Sequence, residues 1–320
     1  MVEAFLIHST ESGYIGGVDD PKAVKLQDVK SKDVVLIADP LRDQFAIDQV
    51  STISSSIKCN KIGVLLSPVS SLYSVNETTG LVLDLNESGL YLSVVFEGKY
   101  LPYCSLKYPY TLDHLYTHFK VAILPKIQSK TNLMALSNEK KFAFFQTLLK
   151  ESVPNDERDC VFIAHEQEQF EGQISFENEE LEITISSKDR TLLFKDLIQN
   201  HHFFDIIYYT IQRIPSRIRN TLASHFLLTG PFEIQDLESV IRTGLFKYLC
   251  ASDKVNENQI SSIGFINRLA IDYMDVAREQ GLLWFSGGQV TRKYVMQDEK
   301  YHLLESEFTS ANAILSKLCN

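Results

Sequence analysis

Apolar residues cluster in short runs along the first third of the chain, and polar or glycine-containing segments separate them. The pattern predicts buried strands at Val34–Ala38 and Ile62–Leu66, with a helix over Gln44–Ile57 between them. A longer hairpin over Thr78–Gly98 follows, turning at Asn86–Gly89. Strands that alternate with helices and then enter a hairpin indicate an α/β fold with a partly parallel sheet.

A shorter hairpin opens the chain. Ala4–Ile7 predicts its first strand, His8–Gly13 a polar loop, and Tyr14–Val18 the return strand. The same order of strand and hairpin recurs near residue 82. This loose repeat predicts two related lobes around a cleft.

Patterning in the rest of the chain is less regular. Glu166–Glu180 is acidic, and we interpret it as a solvated loop, with a docking segment as the alternative. Leu282–Ser286 predicts an apolar strand that ends in a turn at Gly287–Gly288. The remaining predictions are helices at Val69–Val75, Leu112–Phe119, Lys140–Lys150, Phe204–Ile214 (stopped by Pro215) and Ile234–Leu249, and strands at Leu181–Ile185 and Leu227–Thr229.

Composition narrows the class of protein. The chain has 320 residues, 44% of them hydrophobic, so it can bury a large core as two domains or one bilobed body. Its net charge of −10 argues against a nucleic-acid-binding surface. No apolar run approaches the length of a membrane span. Five scattered cysteines without a Cys/His cluster predict a reducing compartment and no metal site.

Six short segments carry recognisable motifs in a consistent order. They are Gly13–Val24, Ser71–Tyr73, Thr78–Asp84, Phe96–Pro102, Ile211–Gly230 and Trp284–Gly288. Taken together, they resemble actin and the actin-related proteins. The resemblance implies a bilobed α/β fold of the ribonuclease H type. It places residues 1–70 and 275–320 in a small lobe and residues 71–274 in a large lobe.

The resemblance also implies a deletion. Only Lys25–Asp33 separates Val24 from the strand at Val34–Ala38, where the family has its whole second subdomain. We therefore expect subdomain 2 to be missing, and subdomain 4 to be reduced. The loss falls on the edge that polymerising actins offer to the next subunit.

The family's nucleotide site is degraded in this chain. The resemblance implies four vestigial nucleotide-binding residues, namely Asp84, Gly89, Thr229 and Gly230. Asp84 is the acid expected to hold magnesium-bound water, although a strand-end acid that caps its own turn is an equal reading. We expect no cofactor, and residual binding of ATP and magnesium stays open.

Several replacements oppose phosphate binding and hydrolysis. His8 and Glu11 lie near the first phosphate loop. A carboxylate at Glu11 would repel a phosphate group, because two like unit charges about 4 Å apart repel each other by roughly 4 kcal/mol at an effective dielectric of 20. Ser67 falls where the family has its water-positioning Gln, and Pro231 replaces a glycine of the adenosine loop. The expectation is a protein that is not an enzyme.

The resemblance places a hydrophobic partner groove at Tyr73, Phe285, Val290 and Tyr294, with a core role as the alternative for Tyr73. It predicts a non-catalytic structural subunit of a multiprotein complex, which caps the pointed end of the dynactin actin-related filament. Its partners would be actin or actin-related subunits, without direct nucleic-acid or membrane contact, in the cytoplasm and cytoskeleton. The alternative is a nuclear subunit of a chromatin remodeller that binds a helix of the motor subunit.

Overall fold

The structure is a computed structural model. It describes residues 4–10, 13–17, 22–31, 33–39, 43–86, 89–108, 112–129, 132–151, 169–176, 179–186, 203–229 and 283–308.

Fourteen strands lie within these ranges. In chain order they are β1 (Phe5–Thr10), β2 (Gly13–Gly17), β3 (Lys22–Val24), β4 (Asp33–Ala38), β5 (Lys61–Leu66), β6 (Gly80–Asn86), β7 (Gly89–Phe96), β8 (Lys99–Tyr100), β9 (Leu106–Tyr108), β10 (Gln128–Ser129), β11 (Gln169–Phe176), β12 (Glu179–Ser186), β13 (Phe226–Thr229) and β14 (His302–Leu304).

Seven α-helices lie within the same ranges. They are α1 (Asp43–Ser56), α2 (Ser67–Ser74), α3 (Leu112–His118), α4 (Asn138–Glu151), α5 (Phe203–Arg213), α6 (Ser216–Ala223) and α7 (Leu283–Gln297). The described residues also include short 3-10 helices at Leu26–Asp28, Leu124–Lys126, Leu133–Ala135 and Glu305–Glu307, and a π-helical turn at Phe119–Ile123.

The first sheet has the strand order β14-β5-β4-β1-β2-β3. β1 and β2 form an antiparallel hairpin in which Leu6 pairs with Gly17. β4 then joins β1 in parallel, and β5 joins β4 in parallel. The central strands are buried almost completely, as their continuous apolar sequence requires.

The second sheet repeats the opening of the first. Its order is β13-β6-β7-β8, with β9 also paired to β7. β6 and β7 form an antiparallel hairpin, in which Gly80 pairs with Val95 and Asn86 pairs with Gly89. β13 joins β6 in parallel. A small third sheet has the order β10-β12-β11. The expectation of a mixed α/β fold is therefore confirmed, with two mixed sheets that each begin with a hairpin.

Helix α2 lies between the two large sheets and contacts both of them. One hydrophobic cluster joins the first sheet to Leu72 of α2 and to Val82 and Leu227 of the second sheet. The other cluster contains Leu81 and Leu83 together with buried residues of helices α3, α4 and α5. Because side chains alternate along a strand, the second sheet is buried on both faces.

Most predicted elements are confirmed within a residue or two, but three predictions are wrong. The solvated loop expected at Glu166–Glu180 is instead largely strand, because β11 covers Gln169–Phe176 and pairs antiparallel with β12, which begins at Glu179. Phe170, Ile174 and Phe176 alternate there with polar residues, which is the period of a strand with one exposed face.

The polar loop expected from His8 is shorter, since β1 continues to Thr10. The strand expected at Leu282–Ser286, with a turn at Gly287–Gly288, is instead part of helix α7, which begins at Leu283. The helix expected at Ile234–Leu249 lies outside the described residues.

The two glycines of α7 have a role in helix contact. A Cβ at Gly287 would overlap the main-chain carbonyl oxygen of Ser70 in α2, and a Cβ at Gly288 would contact Leu6 and Ile37. Glycine removes the side chain where the helix backbones approach each other most closely. Sequence alone does not distinguish this use of Gly-Gly from a turn, and for that reason the strand prediction failed.

Candidate functional site

Polar side chains lie where the parallel strands of both sheets end. In the first sheet, His8 lies on β1, Asp39 directly follows β4, and Ser67 directly follows β5. In the second sheet, Asp84 and Thr229 lie near the ends of β6 and β13. The carboxyl ends of parallel strands are where open α/β sheets place their ligand sites, so this edge of each sheet is the candidate site.

The first-sheet residues are joined through one carboxylate oxygen. The Nε2 of His8 lies 3.1 Å from Oδ1 of Asp39, and Ser67 donates its hydroxyl to the same oxygen at 3.3 Å. The side chains of His8 and Asp39 are only 14% and 12% exposed. Both donors use one acceptor atom, and therefore the three residues brace the ends of β1, β4 and α2.

This arrangement differs from a Ser-His-Asp triad. In a triad the hydroxyl donates to the imidazole, and the carboxylate lies behind the imidazole. Here the Ser67 hydroxyl donates to Asp39 instead. A phosphate at this position would also be repelled by the Asp39 carboxylate. The sequence predicted the same repulsion from Glu11, but Glu11 lies outside the described residues.

Asp39 is the site residue that sequence reasoning missed. The signal was present, because an acid that directly follows a buried strand is the same feature that singled out Asp84. The pairing with His8 depends on β1 and β4 being neighbours in the sheet. That neighbour relation joins residues 31 positions apart and cannot be read from local pattern.

Asp84 and Thr229 are brought together by strand register. They pair directly across the parallel strands β6 and β13. Asp84 lies two residues beyond Val82 and Thr229 lies two beyond Leu227, and both of those apolar residues join the first-sheet cluster. By strand alternation, the half-buried Asp84 and Thr229 share the sheet face that is turned toward α2 and the first sheet.

Gly89 has a structural explanation of its own. It has a φ of +145°, and a Cβ there would lie 2.7 Å from the carbonyl oxygen of Tyr108. β7 and β9 pair beside it, from Leu90 and Tyr108. Glycine is therefore required for strand pairing at this position, whether or not a phosphate binds nearby. Gly230, the fourth predicted nucleotide-binding residue, lies outside the described residues.

The four predicted groove residues lie on two helices in contact. Tyr73 is on α2, and Phe285, Val290 and Tyr294 are on α7. The helices meet where Gly287 approaches Ser70. Tyr73 is half-buried, and its hydroxyl lies close to Gly98, where a Cβ would approach it to 2.6 Å.

Burial raises the pKa of the Tyr14 hydroxyl on β2 above its ordinary value of 10.0, so this group stays neutral at physiological pH. Within the described ranges, no three His, Cys, Asp or Glu side chains are grouped so that they could hold a metal ion. Every helix in those ranges is too short or too polar to span a bilayer.

No family model matches this chain, and no curated protein matches it either.

Proposed function

We propose that this chain has an actin-like fold and acts as a non-catalytic structural subunit of a multiprotein complex. The observation that carries the proposal is the repeated opening of the two large sheets. In each, a hairpin is followed by a later strand that pairs in parallel with the first hairpin strand. The polar residues at the ends of those strands, and the helix between the sheets, also support a fold of two ribonuclease H-type lobes. We assign residues 1–70 and 275–320 to the small lobe and residues 71–274 to the large lobe.

The connection between β3 and β4 supports a missing second subdomain. β3 ends at Val24 and β4 begins at Asp33, with a 3-10 helix at Leu26–Asp28 between them. A subdomain cannot be formed by so short a link. We propose that the small β10-β12-β11 sheet belongs to a reduced subdomain 4.

Loss of subdomain 2 would make the subunit one-sided. A filament grows when each subunit offers two complementary faces in a repeat that does not close. A subunit that keeps its groove on α2 and α7 but lacks the opposite edge can bind one neighbour and end the filament. For this reason we favour the pointed end of the dynactin filament and a cytoplasmic, cytoskeletal location.

We expect the purified chain not to hydrolyse ATP. Ser67 donates to Asp39 rather than positioning a water, and the Asp39 carboxylate disfavours phosphate nearby. The measurement is phosphate release from Mg-ATP, with Asp84→Ala as control. Turnover above background that disappears in Asp84→Ala would show that the chain is an ATPase.

Nucleotide affinity is tested separately. Calorimetric titration with Mg-ATP should show weak or no binding, because tight phosphate capture requires free backbone N–H groups and no local anion. Glu11→Ser should raise the affinity if Glu11 faces the phosphate site. A sub-micromolar affinity of the wild-type chain would contradict the vestigial reading.

The groove is tested by truncation. Interface anchors typically cost about 2 kcal/mol or more when changed to alanine, so Phe285→Ala with Tyr294→Ala should release the protein from its complex. Circular dichroism must show that the variant is still folded. Unchanged co-purification of the double variant would exclude the groove, and filaments of the wild-type chain alone would exclude the one-sided subunit.

The identity of co-purifying proteins decides between the two kinds of complex. Dynein adaptors and a capping protein would support the dynactin assignment. An ATP-driven remodelling motor, together with nuclear location, would replace it with the chromatin-remodelling alternative.

A further inference from the structure

Several segments of this acidic chain contain basic residues and no acid, and two of them lie close together in the fold. Residues 98–112 hold Lys99 and Lys107, and residues 206–229 hold Arg213, Arg217 and Arg219. The chain as a whole has 31 basic and 41 acidic residues, so its net charge of −10 is +5 in these segments and −15 elsewhere. This separation of charge is a property of the sequence, and its consequence depends on where the segments lie.

The fold brings the two segments together. The thiol of Cys104 donates to the carbonyl oxygen of Arg213 at 3.4 Å, and α5 contacts both β7 and β9. Burial is the main cause of the raised pKa of the Cys104 thiol, while the Arg213 guanidinium and the Tyr103 side chain lower it. Both groups must be close to the sulfur to have that effect.

Two aromatic side chains are exposed near Arg213. Tyr103 is 64% exposed and Tyr209 is 50% exposed. Tyr209 lies one helical turn before Arg213 on α5, so the two share a helix face. Tyrosine and arginine are both enriched at protein interfaces relative to the rest of the surface.

The three arginines divide into two roles. Arg219 donates to the carbonyl oxygens of Gln212 and Ile214 and so caps the end of α5. Arg213 and Arg217 are exposed, and the described part of the chain provides no side-chain hydrogen bond or ion pair to either guanidinium. Their hydrogen-bonding capacity is therefore available to another molecule.

We propose that Tyr103, Tyr209, Arg213 and Arg217, the Tyr–Arg surface, form a docking site for an acidic segment of a partner protein that carries apolar side chains among its carboxylates. The guanidinium groups match carboxylates in geometry and charge, and the tyrosines offer apolar area. A protein segment fits better than a nucleic acid, because the remaining charge of −15 repels a long phosphate backbone. The site does not depend on the actin-like role proposed above.

The test uses the full chain and a synthetic peptide. The probe is a short fluorescein-labelled peptide in which Glu residues flank a central Leu–Phe pair, and binding is followed by fluorescence anisotropy. Wild-type protein should bind it, and the affinity should fall as NaCl rises from about 50 mM to about 500 mM because salt screens exposed charges. A peptide with Gln in place of Glu should bind much more weakly.

Charge reversal locates the site. Arg213→Glu with Arg217→Glu should weaken binding by about tenfold or more. The matched control is Lys22→Glu with Lys25→Glu, which makes the same change in net charge on exposed residues beside the first sheet. The control should stay within about twofold of wild type, since it lies outside the Tyr–Arg surface.

Two further variants separate contact from misfolding. Arg213→Gln with Arg217→Gln avoids placing acids at the end of α5 and should give a smaller loss in the same direction. Tyr103→Ala with Tyr209→Ala should weaken binding while keeping its salt dependence, because the charges remain. All variants are checked by circular dichroism and urea unfolding.

Four results would overturn the proposal. Wild-type protein that does not bind the acidic peptide would exclude the site. Equal losses in the arginine and lysine reversals would show general electrostatics, and equal binding of the Gln peptide would remove the role of charge. Tighter binding of oligothymidylate than of the acidic peptide would identify a nucleic-acid surface instead.

Discussion

Gly287→Ala should destabilise the protein, and Gly288→Ala should not. Both glycines lie inside helix α7, and each substitution would gain about 1 kcal/mol of helix propensity. That gain is the same in both variants, so their difference in stability reports only the surroundings of the added methyl group. The pair therefore measures how closely α7 and α2 approach each other.

The surroundings differ in kind. At Gly287, the new methyl group would overlap the carbonyl oxygen of Ser70 and would lie 2.5 Å from its carbonyl carbon. These are main-chain atoms of α2, which cannot rotate away, so the helices would have to separate. At Gly288, the nearest atoms are Cδ1 of Leu6 at 3.2 Å and Cδ1 of Ile37 at 3.4 Å, which are the mobile ends of side chains.

Overpacking a well-packed contact typically costs about 1–3 kcal/mol, and a main-chain obstacle belongs at the upper end. After the propensity gain, we expect Gly287→Ala to lower the free energy of unfolding by about 2 kcal/mol. We expect Gly288→Ala to change it by less than about 1 kcal/mol.

Urea unfolding followed by circular dichroism measures both variants. Trp284, the one tryptophan of the chain, lies in α7 and provides a second probe of the same region. Ser70→Ala is a further control, because it leaves the obstructing main-chain oxygen in place and should not restore Gly287→Ala. Equal stability of the two glycine variants would refute the close contact between the helices.

Two other predictions rest on local features. Glu97 and Gly98 have φ values of 51° and 74° between paired strands, so Glu97→Asn should raise the free energy of unfolding by about 0.5–1 kcal/mol, and an unchanged urea midpoint would contradict this. Burial raises the pKa of the Cys59 and Cys104 thiols above 9.0, so both should react with iodoacetamide at least about tenfold more slowly in the folded than in the unfolded chain at pH 8, as measured by peptide mass spectrometry. The unfolded thiols ionise at a lower pH than the folded ones, so the free energy of unfolding should fall as pH rises past 9.0. At neutral pH the thiols are protonated in both states and do not lower the stability.

Much of the local structure follows from the sequence. The apolar runs at Val34–Ala38 and Ile62–Leu66 form strands because their burial on both faces requires continuous apolar sequence. The Thr78–Gly98 hairpin follows from its turn residues, and α5 ends before Pro215, which cannot continue a helix. These signals act over a few residues and need no knowledge of distant parts of the chain.

The candidate site could be predicted only in part from the sequence. Sequence reasoning singled out His8, Ser67 and Asp84 as separate positions, but it did not identify Asp39 as the residue that joins the first two. Hydrogen bonds between residues about thirty positions apart exist only once β1, β4 and β5 are neighbours in one sheet. Strand order is set by the burial of the whole sheet, which no local pattern encodes.

Helix α7 shows the same division most clearly. The sequence by itself shows an apolar segment followed by two adjacent glycines, and this pattern is compatible with a strand that ends in a turn. Tertiary structure decided for a helix, because Gly287 allows the backbone of α7 to contact α2 at Ser70. Glycine permits both a turn and a close approach, and the choice depends on which surface lies opposite it.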